Sequence, residues 1–200
     1  MKLGNSESGK MDKLAKVLTD YVIKKGTVDE EDRRVYEYGF TVALEIGIFL
    51  LFCITFAILN HMFWEGCLFF FLFFPLRSYA GGLHLKQFWA CLILSCLTFS
   101  GVLLTMNMVC LPKEILLGTQ VLLECMVYKT YPVDDINRIV EQAENMVFKS
   151  KLRKLLVMDL LLGPVFIVLK RTDLLMELVL VLLIIFITML IGKWKNSRIV

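Results

Sequence analysis

Arg77-Ser78-Tyr79-Ala80-Gly81-Gly82-Leu83-His84-Leu85-Lys86-Gln87-Phe88-Trp89-Ala90-Cys91 places two adjacent glycines, a histidine and a cysteine between two long apolar runs. Gly81-Gly82 is the strongest backbone breaker in the chain, so the polypeptide is expected to leave helical geometry there and turn back before the next apolar run. In one straight helix, residues seven apart share a face but stand roughly 10 Å apart along the axis. His84 therefore meets Cys91 only if it lies on a loop or broken turn that folds over the start of the following helix.

Outward from this stretch the chain is apolar. Of its 200 residues 58% are hydrophobic, and the mean hydropathy is +0.69. These values lie outside the range of soluble domains and specify a membrane protein. Upstream, an apolar run covers about Gly39 to Leu59, and an aromatic-rich one covers Met62 to Leu76 with Pro75 near its end. Downstream, runs follow at Phe88 to Leu111, Ile115 to Tyr131, Leu155 to Leu169 and Leu174 to Ile191, the fifth of the six interrupted by Gly163-Pro164. The expected fold is all-α: a polytopic membrane helical bundle of about six transmembrane segments preceded by an N-terminal amphipathic helix. A four-span arrangement, with the short second and fifth runs as re-entrant pieces, is the competing topology.

The first forty residues are polar and charged, without a signal-peptide pattern. Within residues 11 to 25, Leu14, Val17, Leu18, Tyr21 and Val22 recur at helical spacing and define an amphipathic helix too short and too charged to span. Such a helix suits a membrane surface or a partner helix. Thr27 with Glu30 and Glu31 marks the start of a second short helix. The domain division expected from these features is a cytoplasmic N-terminal region at 1–38, an integral-membrane domain at 39–191 and a short cytoplasmic tail at 192–200.

With six spans, nineteen of the 22 lysines and arginines fall on one side, the remaining three being Lys113, Lys170 and Arg171. The positive-inside rule then puts both termini and the His84 loop in the cytoplasm. The net charge of +3 reflects this orientation and not nucleic-acid binding. The six cysteines form no CxxC pair, so neither a zinc site nor a disulfide framework is indicated, and all but Cys91 read as packing residues. No cofactor or metal is called for.

Glu45, Glu124, Asp159 and Glu177 fall in or at the edges of apolar runs, where an unpaired charge costs at least a few kcal/mol. For Glu124 and Glu177, pairing with an arginine, a lysine, a tyrosine or a neighbouring helix, or an interfacial position, is expected. Four scattered acids also fit an ion path, but the paired glycine breaks of two matching halves that a transporter would carry are missing.

His84 and Cys91 form the candidate base and nucleophile. A thiol in the first turns of the third run lies at the positive end of the helix dipole, which stabilises a thiolate. Arg77 could hold a carboxylate, the Gly81-Gly82 N–H groups could stabilise an oxyanion, and Glu45 could orient the imidazole.

On these residues the chain resembles the accessory gene regulator protein B (AgrB) family, membrane cysteine endopeptidases of peptide quorum sensing. Arg77, Gly82, His84 and Cys91 carry the resemblance, together with Phe88-Trp89 ahead of the thiol and the Tyr38-Gly39 entry to the first span. The polar segment Tyr131-Pro132-Val133-Asp134-Asp135-Ile136-Asn137-Arg138 extends it, with Ile139 where many relatives have proline. The resemblance implies that His84 and Cys91 are catalytic. Its implied substrate is a short AgrD-like propeptide, cut through an acyl thioester on Cys91 and closed to a thiolactone or lactone. It implies the lipid bilayer as a partner and is compatible with a homodimer. The alternative is a non-enzymatic exporter or binding partner of a signal peptide.

Overall fold

The computed structural model describes residues 5–26, 29–81, 88–131 and 142–197. His84, Gly82, the cap expected at Thr27 and most of the polar segment before the fifth run lie outside the described residues. The described chain is all-helical. Its α-helices are α1 (Asn5–Lys24), α2 (Arg33–Leu59), α3 (Phe63–Ala80), α4 (Phe88–Met108), α5 (Lys113–Thr130), α6 (Gln142–Val168) and α7 (Thr172–Ser197), with a 3₁₀ turn at Glu30–Asp32 before α2. Each of the six expected apolar runs is a helix, and the protein is a membrane protein.

Among the described residues three helices are long and apolar enough to cross a membrane: Glu30–Leu59, Ala90–Met108 and Thr172–Lys195. The expected count of six is therefore met in helices but not in their apolar length. α3 has Glu65 near its start and Arg77 in its last turn, and α6 turns apolar only from Leu155. α5 falls short as well, since its 18 residues hold Lys113, Glu114, Glu124 and Lys129. Pro75 and Pro164 lie inside α3 and α6, which continue past them as helix.

The chain divides into two units, residues 1–56 with 85–97 and residues 57–84 with 98–200. In the first, α1 buries Ala15 and Thr19, and the Thr19 hydroxyl donates to the Ala15 carbonyl at 2.9 Å. Leu14, Val17 and Tyr21, assigned from sequence to the apolar face, are exposed. The stripe that packs is thus rotated toward smaller residues, which allow closer approach, and the bulky ones point outward. Arg33 ties α1 to the start of α2, donating to Asp20 at 2.6 Å and to Glu30 at 2.5 Å, with Glu37 at 3.7 Å. Only 11% of the apolar window of Glu30–Leu59 is buried, against 50% for Thr172–Lys195. Ile46, Leu50, Leu51, Ile54 and Ile58 of α2 are exposed, a surface apolar enough to suit hydrocarbon.

In the second unit α7 packs against α3, α5 and α6, and α6 in turn against α3 and α5. Five consecutive residues of α7, Leu175 to Val179, are buried, so protein surrounds this part of the helix on every side. Phe69, Leu72 and Leu76 of α3 and Phe99 and Leu103 of α4 fill the same core. Gly66 admits Phe99: a Cβ at that position would sit 3.3 Å from its ring and 3.2 Å from Ala57 Cβ. Phe99 then meets Phe69 edge to face with centroids 5.2 Å apart.

Candidate active site

α3 ends where the glycine pair begins. Gly81 has φ 75° and ψ −160°, a combination that a side chain disfavours, so the helix stops as the sequence anticipates. The Arg77 guanidinium donates to the Gly81 carbonyl. A helix end leaves carbonyls without intrahelical partners, and here a basic residue in the last turn supplies one of the missing donors. Arg77 and Gly81 are thus brought together, with Arg77 serving the end of α3.

Cys91 is the fourth residue of α4, and its side chain is exposed. The first turn of a helix has backbone N–H groups without intrahelical acceptors, an environment that favours negative charge. Cys96 lies five residues deeper and is only half exposed, while Cys53 is buried. Cys67, Cys110 and Cys125 are exposed, contrary to the packing role expected of them. On helices bounded by lipid, an apolar thiol is stable on the outer surface as well as inside. All six cysteines are free thiols. Glu45 lies in α2 within the first unit and is half-buried. The meeting of His84 with Cys91, and the N–H of Gly82 as an oxyanion donor, rest on residues outside those described. No three His, Cys, Asp or Glu side chains among the described residues are grouped to hold a metal.

A second polar constellation lies in the core of the unit formed by residues 57–84 and 98–200. Gln120 of α5 donates from Nε2 to Glu124 Oε1 at 2.9 Å and to the Asp159 backbone carbonyl of α6 at 2.7 Å. The carboxylate oxygens of buried Asp159 and, elsewhere in the unit, of Glu177 have no hydrogen-bond partner among the described residues. The sequence signal that could have revealed this cluster is Gln120 itself, an amide one helical turn before Glu124 in an apolar run.

A family model described as Accessory gene regulator B matches residues 15–194. The chain belongs to this family. The match runs from α1 almost to the end of α7 and so includes Arg77, the glycine pair, His84 and Cys91. Membership in the AgrB family connects the protein with accessory gene regulator peptide processing. Comparison with curated proteins and with solved structures gives no match.

Proposed function

We propose that the protein is a membrane cysteine endopeptidase that cleaves an AgrD-like propeptide and supports its cyclisation, with Cys91 as nucleophile and His84 as base. The observation that carries this reading is the exposure of Cys91 on the first turn of α4, seven residues after His84, in a chain of the AgrB family. His84 takes the thiol proton, and the Cys91 sulfur attacks the scissile carbonyl. The C–N bond then breaks as the imidazolium returns the proton to the leaving amine. The resulting thioester keeps the carbonyl reactive. Attack by a thiol or hydroxyl of the same peptide closes the ring, releases the Cys91 thiol and needs no ATP if water is held back.

The end of α3 supports this chemistry by fixing where the loop begins. Arg77 and Gly81 set the exit direction of the chain, and the glycine pair supplies backbone N–H groups for an oxyanion. Glu45 is proposed to orient the imidazole. Both termini and the catalytic residues face the cytoplasm, with α3, α5 and α6 completing a six-helix crossing alongside the three longer apolar helices. In the assembled protein a homodimer is compatible with this arrangement.

The test is intact-mass analysis of the protein incubated with its propeptide. A peptide thioester on the wild type, absent from Cys91→Ala and present in Cys96→Ala, is the expected result. Propeptide cleavage that persists in Cys91→Ala would overturn the assignment. Unaltered peptide crossing the membrane in that variant would favour the exporter.

A further inference from the structure

The residues of α6 that precede its apolar run build a cleft of about 200 Å³ lined by Tyr128, Met146, Lys149, Ser150 and Arg153. Four of these five side chains bring hydrogen-bond donors: an ammonium, a guanidinium and two hydroxyls. Among the described residues no carboxylate lines the cleft. Lys149 and Arg153 are one turn apart and share a face, so both cations converge on the same volume.

Aromatic rings hold this basic end in place. Lys149 Nζ lies 5.7 Å from the centroid of the Tyr128 ring at the end of α5, and Lys151 Nζ lies 5.2 Å from that of Tyr79 at the end of α3. Tyr79 meets Phe148 edge to face at 5.6 Å. A cation resting on a ring face keeps its N–H groups available for an anion, because the ring takes up no hydrogen-bond geometry.

The depth of the cleft identifies the anion. α6 and α7 run antiparallel from the turn at residues 169–171 and pack together. Counting back from that turn, Lys149 stands level with Ile191, where the apolar run of α7 gives way to Lys193, exposed Trp194 and Lys195. Tryptophan and lysine at the end of an apolar helix mark the headgroup level of a bilayer. Exposed Lys154 and Arg153 directly precede Leu155, where α6 itself turns apolar. A cluster of basic residues at this position recognises anionic lipid.

We propose that the Tyr128–Lys149–Ser150–Arg153 cleft binds the phosphate of an anionic phospholipid whose acyl chains run toward Leu155 and the apolar part of α6. The phosphodiester oxygens accept from the guanidinium, the ammonium and the two hydroxyls. The bound headgroup bridges the ends of α5 and α6. This site is separate from the chemistry of Cys91 and stands whether or not that assignment holds.

The test uses the full chain in nanodiscs of phosphatidylcholine with one fifth phosphatidylglycerol, followed by native mass spectrometry of the lipids retained after extraction. Wild type should retain phosphatidylglycerol over phosphatidylcholine. Lys149→Ala with Arg153→Ala should lower that retention about tenfold, a double charge loss in a shared anion site. The charge-keeping pair Lys149→Arg with Arg153→Lys should preserve it, and Lys113→Ala, at the opposite end of α5, should leave it unchanged. Should the double variant not fold, Lys149→Gln alone, at an exposed position, reads the same effect. Equal retention by wild type and variant would overturn the proposal. So would stabilisation of lipid-free protein by inorganic phosphate or an acidic peptide matching that by phosphatidylglycerol, which would assign the cleft to a soluble anion or a protein partner.

Discussion

Gln120 Oε1 lies 2.1 Å from the point where a Cβ on Gly163 would stand, so the α5 amide fills the notch that this α6 glycine leaves. The amide cannot easily swing away, because both hydrogens of its Nε2 are engaged, at Glu124 and at the Asp159 carbonyl. Gly163→Ala is therefore expected to destabilise the protein by about 1–3 kcal/mol, as overpacking in a filled core does. Thermal unfolding in detergent measures it. Unchanged stability would mean that the α5–α6 contact is looser than this geometry.

Asp159 and Glu177 are buried with carboxylate oxygens that no described group satisfies. Replacing such a group by the isosteric amide removes its capacity for charge while keeping its volume. Asp159→Asn and Glu177→Gln should thus be neutral or stabilising by up to about 1 kcal/mol in the same unfolding assay. A clear loss of stability in either would reveal a cationic partner for that carboxylate.

Gly81→Ala introduces a side chain at φ 75°. The strain should cost about 1–2 kcal/mol, relieved by a changed exit of the chain from α3 and therefore a displaced His84 segment. Propeptide cleavage in this variant should fall well below wild type at temperatures where the protein remains folded. Full activity would remove Gly81 from the positioning of the site.

Thiol accessibility separates Cys91 from its neighbours. Cys91 is exposed in the first turn of α4, and Cys53 is buried in α2. A water-soluble maleimide should modify Cys91 and spare Cys53, read by peptide mapping after labelling in membranes. Preferential labelling of Cys53 would contradict this arrangement.

Arg171 bridges Glu65 of α3 at 2.8 Å and Asp173 of α7 at 2.7 Å, in a position where nearly half of its side chain is exposed. Arg171→Ala should cost no more than about 1 kcal/mol, and the difference from wild type should shrink in high salt. Paired unfolding curves at low and high ionic strength give the measurement.

Much of the fold was legible in advance. Six apolar runs became helices, and the glycine pair ended α3 as its conformational freedom requires. The amphipathic helix was legible but its packing face was not. Periodicity identified Leu14, Val17 and Tyr21, yet Ala15 and Thr19 are the buried residues, since a small side chain permits close contact without raising the apolar signal. Among site residues, Cys91 on the opening turn of α4 followed from its place at the head of an apolar run. The Gln120–Gly163 contact did not, because it joins residues 43 positions apart whose complementarity of shape leaves no periodic trace.

The sequence by itself determined an all-helical membrane protein, the order of its helices and the break before His84. Length, apolarity and a backbone free to take positive φ are properties of short stretches of chain. Only the tertiary structure decided which apolar surfaces are buried against protein, least along the apolar window of α2 and most along that of α7. Hydrocarbon and protein interior are equally hospitable to leucine, so hydropathy cannot separate them. That distinction is made by packing shape and by the few buried polar groups that must find one another.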